Sequence, residues 1–199
     1  MEIRQVQSRR DEKEFVALPY RLYRGDPYWV PPLRGEQRKL FRPESNSILL
    51  HCDYALFLAS EDGTTVGRVA AFVDHHANQY WGSAIGFFGS YECIDRDEVA
   101  HALLSAAKNW LQAQGMTAMR GPISFESQNW GFVIEGFDYP PAIMSPYNPP
   151  YYNRQVEAFG LRKVKDLEVY RGDAASGFRS ALSATCSAFR SGTGCGFGR

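Results

Sequence analysis

The sequence predicts an α/β (α+β) fold in which a mixed, mostly antiparallel central sheet carries helices on both faces. Three observations support this: two apolar runs joined by a glycine turn, one long amphipathic helical pattern, and the order in which the patterns follow one another. That order is β, α, α, β-hairpin, β, α, β, α, β, which buries helices against a single sheet. With 44% hydrophobic and 22% charged residues among 199, the chain can form a substantial core.

The N-terminal part predicts a strand followed by two helices. Residues 2–8 alternate weakly between polar and apolar side chains, and Asp11 is a possible cap for a helix over residues 12–24. Pro19 is expected to kink or shorten this helix because proline lacks a backbone N–H group. A second short helix is predicted over residues 33–41.

The middle of the chain predicts a β-hairpin and a third strand. Residues 54–60 and 65–73 are apolar runs, the second rich in β-branched residues, and Glu61-Asp62-Gly63 joins them as a turn. Residues 75–83 are expected to form a loop, which leads into a strand over residues 85–94.

The strongest helical pattern covers residues 96–114, where apolar side chains recur on one face. Asp95 and Glu98 resemble a capping box, and Gly115 is well placed to end the helix. His101 falls on the opposite, polar face, so we interpret it as a solvated side chain rather than a catalytic one.

The last third of the chain combines short elements with a long connection. A strand is predicted over residues 116–120, and residues 120–152 form a segment rich in proline and aromatic side chains. This segment is too apolar for a solvated linker, so we expect it to fold back over the sheet. A helix over residues 151–159, ended by Gly160, precedes a predicted last strand over residues 163–170.

The charge balance argues against some classes of partner and sets off the C-terminal tail. Lys and Arg number 22, as do Asp and Glu, so no global basic field exists to attract nucleic acid or a membrane.

Of the 26 residues from 174 to 199, 17 are Gly, Ala, Ser or Thr and none is acidic. We therefore predict a domain over residues 1–173 and a low-complexity tail, disordered or non-native, over residues 174–199. The first residues lack the apolar run of a signal peptide, which favours a cytoplasmic protein.

Cysteine and histidine spacing predicts no metal. The cysteines form no Cys-x-x-Cys pair and are not grouped with histidines in the spacing of a zinc site; they are Cys52, Cys93, Cys186 and Cys195. The pair His75 and His76 is interpreted as a surface turn.

Five strings of the sequence, in this order along the chain, resemble those of an uncharacterised bacterial branch of GNAT-like proteins, the acyl-CoA N-acyltransferase superfamily. They are residues 28–33 (YWVPPL), 66–69 (VGRV), 120–122 (RGP), 135–141 (EGFDYPP) and 147–152 (YNPPYY). The resemblance covers residues 1 to about 171 and implies the acyl-CoA N-acyltransferase fold, with acetyl-CoA or another acyl-CoA as cofactor. Members of the branch usually continue into a second half, so the tail is expected to mark a truncated or frame-shifted form of a longer protein.

The sequence departs from the superfamily where the coenzyme pyrophosphate would bind. GNAT enzymes carry a glycine-rich loop before the main helix, whose N–H groups hold the phosphates. Residues 93–98 of this chain read CIDRDE, with no glycine and three carboxylates at the positive end of the helix dipole. These acids suit the helix and repel a phosphate.

A second departure concerns the acid that protonates the leaving thiolate. Many GNAT enzymes place a tyrosine four residues before the glycine that ends the last helix, and Val156 occupies that position here. Tyr151 and Tyr152 lie nearby and could present a phenol, or could serve only as aromatic anchors. Glu92, near the end of the third main strand, is the candidate base, with a strand-edge charge as the alternative.

A polar group in the long segment provides the candidate substrate wall. It comprises Glu126, Gln128 and Asn129 together with Tyr147, Asn148 and Tyr151. Loops at strand ends often carry ligand sites, although simple hydrogen bonding within the loop explains the same residues. We expect Asn129, Tyr147 and Tyr151 to face a cleft whose floor includes Glu92.

Two functions follow as hypotheses. The first is a GNAT-like acyltransferase that moves an acyl group from acyl-CoA to an amine, with Glu92 as base and Tyr151 or Tyr152 as acid. The second is a non-catalytic domain that binds a small-molecule ligand or acts as a scaffold. Fold-level resemblance alone is a weak argument for activity, and the sequence leaves the acyl acceptor and the oligomeric state open.

Overall fold

A computed structural model describes residues 1–125, 130–143 and 145–169 of the chain. The strands are β1 (Glu2–Gln5), β2 (Cys52–Glu61), β3 (Thr64–Asp74), β4 (Ile85–Cys93) and β5 (Ala118–Arg120). The helices are α1 (Arg9–Leu22), α2 (Arg34–Lys39), α3 (His75–Trp81), α4 (Asp97–Ala113) and α5 (Tyr151–Ala158), with a 3₁₀ helix at Ser47–His51. Residues from Met1 to Arg162 form one compact unit. The tail predicted over residues 174–199 lies outside the described residues.

The five strands form one sheet in the order β1-β2-β3-β4-β5. Strands β1 to β4 pair in antiparallel fashion, whereas β5 runs parallel to β4, which confirms the mixed, mostly antiparallel sheet. The parallel pairing extends only from Ile85↔Ala118 to Phe87↔Arg120. Beyond Phe87 the edge of β4 is therefore left to other parts of the chain.

Helices cover both faces of the sheet, as predicted. On one face, α4 packs its apolar side against the strands through buried residues that include Val99, Leu103 and Leu104. On the other face, α1 inserts Phe15 and Val16 into a second core. Each face thus has its own hydrophobic cluster, and the sheet separates them. No helix among the described residues is both long and apolar enough to cross a membrane.

Helix α1 begins earlier than predicted because Ser8, rather than Asp11, is its cap. The Ser8 hydroxyl accepts a hydrogen bond from the Asp11 N–H (3.2 Å), and the Asp11 carboxylate accepts one from the Ser8 N–H (3.2 Å). This reciprocal pair is a capping box. Pro19 lies within α1, and the helix continues past it to Leu22.

The proline inside α1 releases a carbonyl group. A helical residue normally donates its N–H to the carbonyl four residues earlier, and Pro19 has no N–H to offer to Phe15. The Phe15 carbonyl instead accepts a hydrogen bond of 2.7 Å from Arg68 Nη1 of β3. Pro19, which predicts a break in the helix, thus frees a carbonyl through which α1 is hydrogen-bonded to the sheet.

The predicted loop at residues 75–83 is wrong, because residues 75–81 form α3. The Asp74 carboxylate accepts from the Ala77 N–H (2.9 Å) at its start, and Gly82 ends it in the left-handed conformation. None of its residues is buried. The helix consequently lacks the apolar periodicity by which a sequence reveals a helix.

The predicted capping box of α4 is also wrong. The N-cap residue is Arg96, which makes no side-chain cap bond, and the Asp95 carboxylate pairs with Arg154 of α5 instead. The predicted end is confirmed, since Gly115 has a φ of +80° and the Met116 N–H bonds to the Leu111 carbonyl (3.0 Å).

The strand predicted from residue 163 onward is wrong for the described residues 163–169, which carry neither helix nor strand. Val164, Leu167 and Val169 are all exposed. A strand is stable only beside a hydrogen-bonded neighbour, and no β pairing is recorded for these residues. Alternation of apolar and charged side chains therefore does not produce a strand here.

A β-bulge distorts β4 opposite Val69. Between the pairs Arg68↔Glu92 and Ala70↔Gly89 the register shifts by one residue. At the same place the chain that follows β5 approaches closely: the Ile123 N–H bonds to the Phe88 carbonyl (2.9 Å). A Cβ atom on Gly89 would lie 1.8 Å from the Ile123 carbonyl oxygen. Only glycine fits this contact between two backbones.

We therefore expect Gly89→Ala to lower the free energy of unfolding by about 3 kcal/mol, the upper part of the range for overpacked sites. Chemical denaturation monitored by circular dichroism measures the change. The matched control is Gly35→Ala in α2, where nothing lies within 4 Å of the added Cβ and alanine favours the helix. Equal stability of the Gly89 variant and the wild type would contradict the close approach.

Candidate active site

Glu92 is the centre of a buried hydrogen-bond cluster near the end of β4, in the part of the strand that β5 does not pair with. Its Oε2 accepts one hydrogen bond from the Tyr23 hydroxyl (2.7 Å) and one from the Tyr152 hydroxyl (2.8 Å). Its Oε1 lies 3.6 Å from Nη2 of Arg68, the residue opposite on β3. The Glu92 side chain is 14% exposed. The candidate base predicted from the sequence is therefore nearly enclosed, with an opening to solvent.

Tyr152 reaches Glu92 because β5 has left the edge of β4. The tyrosine belongs to the core on the α4 face and is 1% exposed, whereas Glu92 contacts Tyr23 of α1 on the opposite face. The Tyr152 hydroxyl accepts a hydrogen bond from the Cys93 N–H (2.9 Å) and donates its own to Glu92. A paired strand at this edge would block that approach.

Two further side chains of α5 bind the same edge. The Tyr151 hydroxyl donates to the Cys93 carbonyl (2.9 Å), and Gln155 Nε2 donates to the Ile94 carbonyl (2.9 Å). Tyr151 is half-buried. The neighbouring Val156, at the position where the superfamily places its tyrosine, belongs to the core and is 9% exposed. The structure thus brings Tyr151 and Tyr152 to the end of β4.

Arg68 is the positive charge of the site and was missed in the sequence. The residue is 5% exposed, and its guanidinium carbon lies 4.9 Å from the centre of the Phe15 ring. Its Nε has no hydrogen-bond partner among the described residues. Antiparallel pairing of the predicted strands over residues 65–73 and 85–94 would place Arg68 near Glu92. Tyr23, at the end of α1, gives no comparable signal.

The electrostatics of the cluster follow from burial. Burial raises the pKa of Glu92 above its usual value, although the Arg68 charge and the two tyrosine hydroxyls act in the opposite direction. Burial, reinforced by the Glu92 charge, raises the pKa values of Tyr23 and Tyr152 far above the ordinary value. Both hydroxyls therefore keep their protons and remain donors to the carboxylate.

An aromatic wall adjoins Tyr23. Its ring stacks on Trp29 (5.0 Å between centroids) and meets Tyr147 edge-on (5.6 Å). The Tyr147 hydroxyl donates to the Asp26 carboxylate (2.7 Å). Tyr147, one of the residues predicted to form the substrate wall, thus contacts Tyr23, which in turn hydrogen-bonds Glu92.

Asn148, another predicted wall residue, bonds within its own loop instead. Asn148 is buried, accepts from the Val133 N–H (2.7 Å) and donates to the Pro149 carbonyl (2.9 Å), so its amide holds the loop together. Glu126, Gln128 and Asn129 lie outside the described residues. The predicted cleft between Asn129 and Glu92 therefore stays a prediction.

The start of α4 does not fit a pyrophosphate. Arg154 of α5 forms ion pairs with both Asp95 and Asp97, the latter at 3.1 Å, and Arg96 pairs with Glu61 of β2 at 2.6 Å. The two nearby cations are thus already bound to carboxylates. With no glycine in this turn, the backbone offers no cradle for an anion.

If Glu92 is held ionised at an energetic cost, Glu92→Gln should raise the free energy of unfolding at pH 7. A raised pKa means that the folded protein binds the proton more tightly than the unfolded chain, whose glutamate titrates near 4.5. The wild type therefore loses stability as the pH rises through the folded-state pKa of Glu92. Urea denaturation of both proteins between pH 4 and pH 8 measures this, and the difference should shrink towards pH 4.

The control is Glu157→Gln on the exposed side of α5, which should not change the stability at either pH. A Glu92→Gln variant that is less stable than the wild type at pH 7 would show that attraction to Arg68 outweighs the burial of the carboxylate. Glu92 would then be a structural ion-pair residue.

Two curated bacterial proteins are similar in sequence. Protein YghO of Escherichia coli (strain K12) is 36% identical over 169 residues, which cover 83% of this chain and 42% of YghO. A protein named bacterial ceramide synthase, from Caulobacter vibrioides, is 35% identical over 170 residues, which cover 84% of this chain and 44% of that protein. The chain thus spans less than half the length of these two relatives. No protein-family profile matches it.

Solved structures of acetyltransferases share the fold. An aminoglycoside acetyltransferase from an uncultured soil metagenomic sample, in complex with sisomicin, has a TM-score of 0.52 at 12% identity and covers 86% of this chain and 95% of its own. The aminoglycoside N-acetyltransferase AAC(6')-Iy, in complex with CoA, has a TM-score of 0.51 at 19% identity, with 86% and 93% covered. At such identities the likeness concerns the fold. The chain therefore shares the fold of these acetyltransferases, which is the fold that the resemblance of its five sequence strings implies.

Proposed function

We propose that this chain transfers an acyl group from an acyl-CoA thioester to an amine. The observation that carries the proposal is Glu92, a nearly enclosed carboxylate with a raised pKa near the end of β4, beyond its pairing with β5. A raised pKa makes a carboxylate a stronger base, which suits it to accept a proton from an ammonium ion. Similarity to acetyltransferase structures, one of them solved with CoA, supports the same class of reaction.

For the acceptor, we propose a long-chain amino alcohol. A ceramide is the amide of a fatty acid with such an amine, and one relative is named a bacterial ceramide synthase. Because the chain corresponds to less than half of that relative, this assignment concerns the portion that carries Glu92. A fatty acyl-CoA is the matching donor.

In the proposed reaction Glu92 is the base. Its Oε2 accepts hydrogen bonds from two tyrosine hydroxyls, whereas Oε1 makes no hydrogen bond within the described part of the chain and lies 3.6 Å from Arg68. The substrate ammonium gives its proton to Oε1, and the freed nitrogen attacks the thioester carbonyl carbon. The C–N bond forms, the C–S bond breaks, and the nitrogen loses its second proton to solvent.

The tyrosines have different roles in this proposal. Tyr151, whose hydroxyl is half-buried at the Cys93 carbonyl, protonates the departing thiolate and regains a proton from solvent. Tyr152 and Tyr23 act as positioning residues, because they hold Oε2 and so fix the orientation of the carboxylate. Because both hydroxyls bind Oε2, Oε1 is the oxygen that we propose to meet the substrate.

We expect Glu92→Gln to lower kcat by about 100-fold or more, the usual contribution of a general base. The assay incubates the full chain with fatty acyl-CoA and a long-chain amino alcohol, and mass spectrometry quantifies the amide. Glu157→Gln, an equivalent change at an exposed position of α5, should keep the wild-type rate. An unchanged kcat in the Glu92 variant would overturn the assignment of the base.

The variant Tyr152→Phe tests whether the Tyr152 hydroxyl orients the Glu92 carboxylate or whether Tyr152 only supports the fold. Loss of a hydroxyl that stabilises the carboxylate raises the pKa of Glu92 further, so the acid limb of the kcat profile should move to higher pH. A variant with lower activity but an unshifted profile would indicate that Tyr152 only supports the fold.

A second candidate function is binding of a ligand without catalysis. It is favoured by the start of α4, where acidic side chains occupy both arginines, and by the β4 edge, where α5 already takes the polar groups of Cys93 and Ile94. Calorimetric titration with acyl-CoA distinguishes the two. Binding without amide formation supports the second candidate, and neither binding nor amide formation rejects both.

If the acids at the start of α4 oppose CoA, the double variant Asp95→Asn/Asp97→Asn should bind CoA about fivefold more tightly, because removing exposed charges has a modest, salt-dependent effect. It would also release Arg154 from both ion pairs. Calorimetry at matched ionic strength measures the affinity.

The control is Glu36→Gln/Glu44→Gln, which removes the same number of charges near α2 and should leave the affinity unchanged. Equal affinities of all three proteins would show that the acids at α4 do not affect the coenzyme.

A further inference from the structure

The fold brings together three metal-binding side chains that the sequence spacing does not reveal. His51, Cys52 and Asp74 each offer a ligand atom, and these atoms all lie within 4.8 Å of one another. His51 Nδ1 is 3.0 Å from Asp74 Oδ1 and 3.9 Å from Cys52 Sγ. This cluster lies apart from Glu92, at the opposite end of the β2–β3 hairpin.

The hairpin register explains the juxtaposition. His51 ends the 3₁₀ helix, Cys52 is the first residue of β2, and Asp74 is the last residue of β3. Cys52 and Asp74 are paired across the two strands. Residues 22 and 23 positions apart in sequence therefore meet at one end of the hairpin, which is why a search for closely spaced ligand pairs finds no site.

We propose that His51, Cys52 and Asp74 form a site for a divalent transition metal, with Zn²⁺ as the preferred ion. The set of one imidazole, one thiolate and one carboxylate is typical of zinc. With bonds of about 2.0 to 2.3 Å, tetrahedral zinc separates its ligand atoms by about 3.3 to 3.6 Å. The distances of 3.0 and 3.9 Å from His51 Nδ1 differ from this range by only a few tenths of an ångström.

The cluster lies partly at the protein surface. The His51 and Asp74 side chains are 25% and 21% exposed, so an ion can enter from the surface. The His76 ring stacks on His51 with centroids 4.3 Å apart and fixes the orientation of the ligating ring. The same Asp74 Oδ1 also accepts the α3 cap bond from the Ala77 N–H, and an ionised carboxylate oxygen has more than one lone pair with which to hold the cap and the metal.

Binding exchanges the thiol proton for the metal. Zinc binds cysteine as the thiolate, so the thiol must lose its proton when the metal binds. When the Sγ–Zn bond forms, the S–H proton leaves to solvent, and no oxidation or reduction occurs. The metal then links the 3₁₀ helix, β2 and the β3–α3 junction.

Cobalt(II) titration of the full chain tests the site, because Co²⁺ reports a thiolate ligand by a near-ultraviolet charge-transfer band. We expect one Co²⁺ per chain with this band, and Zn²⁺ should displace it. Cys52→Ser should remove the band, while His51→Gln should weaken the affinity at least tenfold. Two controls should retain both band and affinity: His101→Ala on the exposed side of α4, and Cys186→Ser/Cys195→Ser.

The outcomes decide between a metal site and a structural hydrogen bond. Retention of the thiolate band in Cys52→Ser, or its loss in Cys186→Ser/Cys195→Ser, would place the cobalt elsewhere and overturn the proposal. Absence of cobalt binding by the wild type would also overturn it, and would leave Asp74 as the cap of α3 and partner of His51. Circular dichroism of each variant checks that the fold is retained.

Discussion

The ion pair between Arg68 and Glu92 connects the two central strands and ties the helices on both faces to the sheet. Removing two charges from water is costly, and their mutual attraction rarely compensates unless further hydrogen bonds satisfy both groups. Arg68 donates such a hydrogen bond to the Phe15 carbonyl, and Glu92 accepts two from tyrosine hydroxyls. These partners come from α1 and its C-terminal end on one face and from α5 on the other, so the hydrogen bonds that satisfy the two buried charges also join both helices to the sheet.

The sheet makes the arrangement possible by opening on one side. Strand β5 accompanies β4 only as far as Phe87, and the close backbone contact at Gly89 carries the following chain across the β4 edge. The edge near Cys93 is then free for the side chains of α5. A continuous parallel pair would leave Glu92 with its partners Tyr23 and Arg68 on the α1 face, but Tyr152 could not reach it.

The sequence predicted the elements whose apolar side chains recur with a regular period. The hairpin and α4 are such elements, and their burial in the core explains why their patterns were readable. Helix α3 was missed because none of its residues is buried. Glu92 could be selected from its place near a strand end, whereas Tyr23 contacts it from 69 positions away in sequence. In the sequence, Asp95 and Asp97 at the start of α4 have no cation nearby that would clearly balance them. Their partner Arg154 lies on α5, more than fifty residues later in the chain.

Pro19 has a consequence for how mutations at this site would combine. In an ordinary helix, replacing an internal proline by alanine restores a hydrogen bond and improves helix propensity. Here the restored N–H would compete with Arg68 for the Phe15 carbonyl, and a looser guanidinium would change the surroundings of Glu92. Positions 19, 68 and 92 should therefore show epistasis, so the effect of a substitution at one depends on the residues present at the other two.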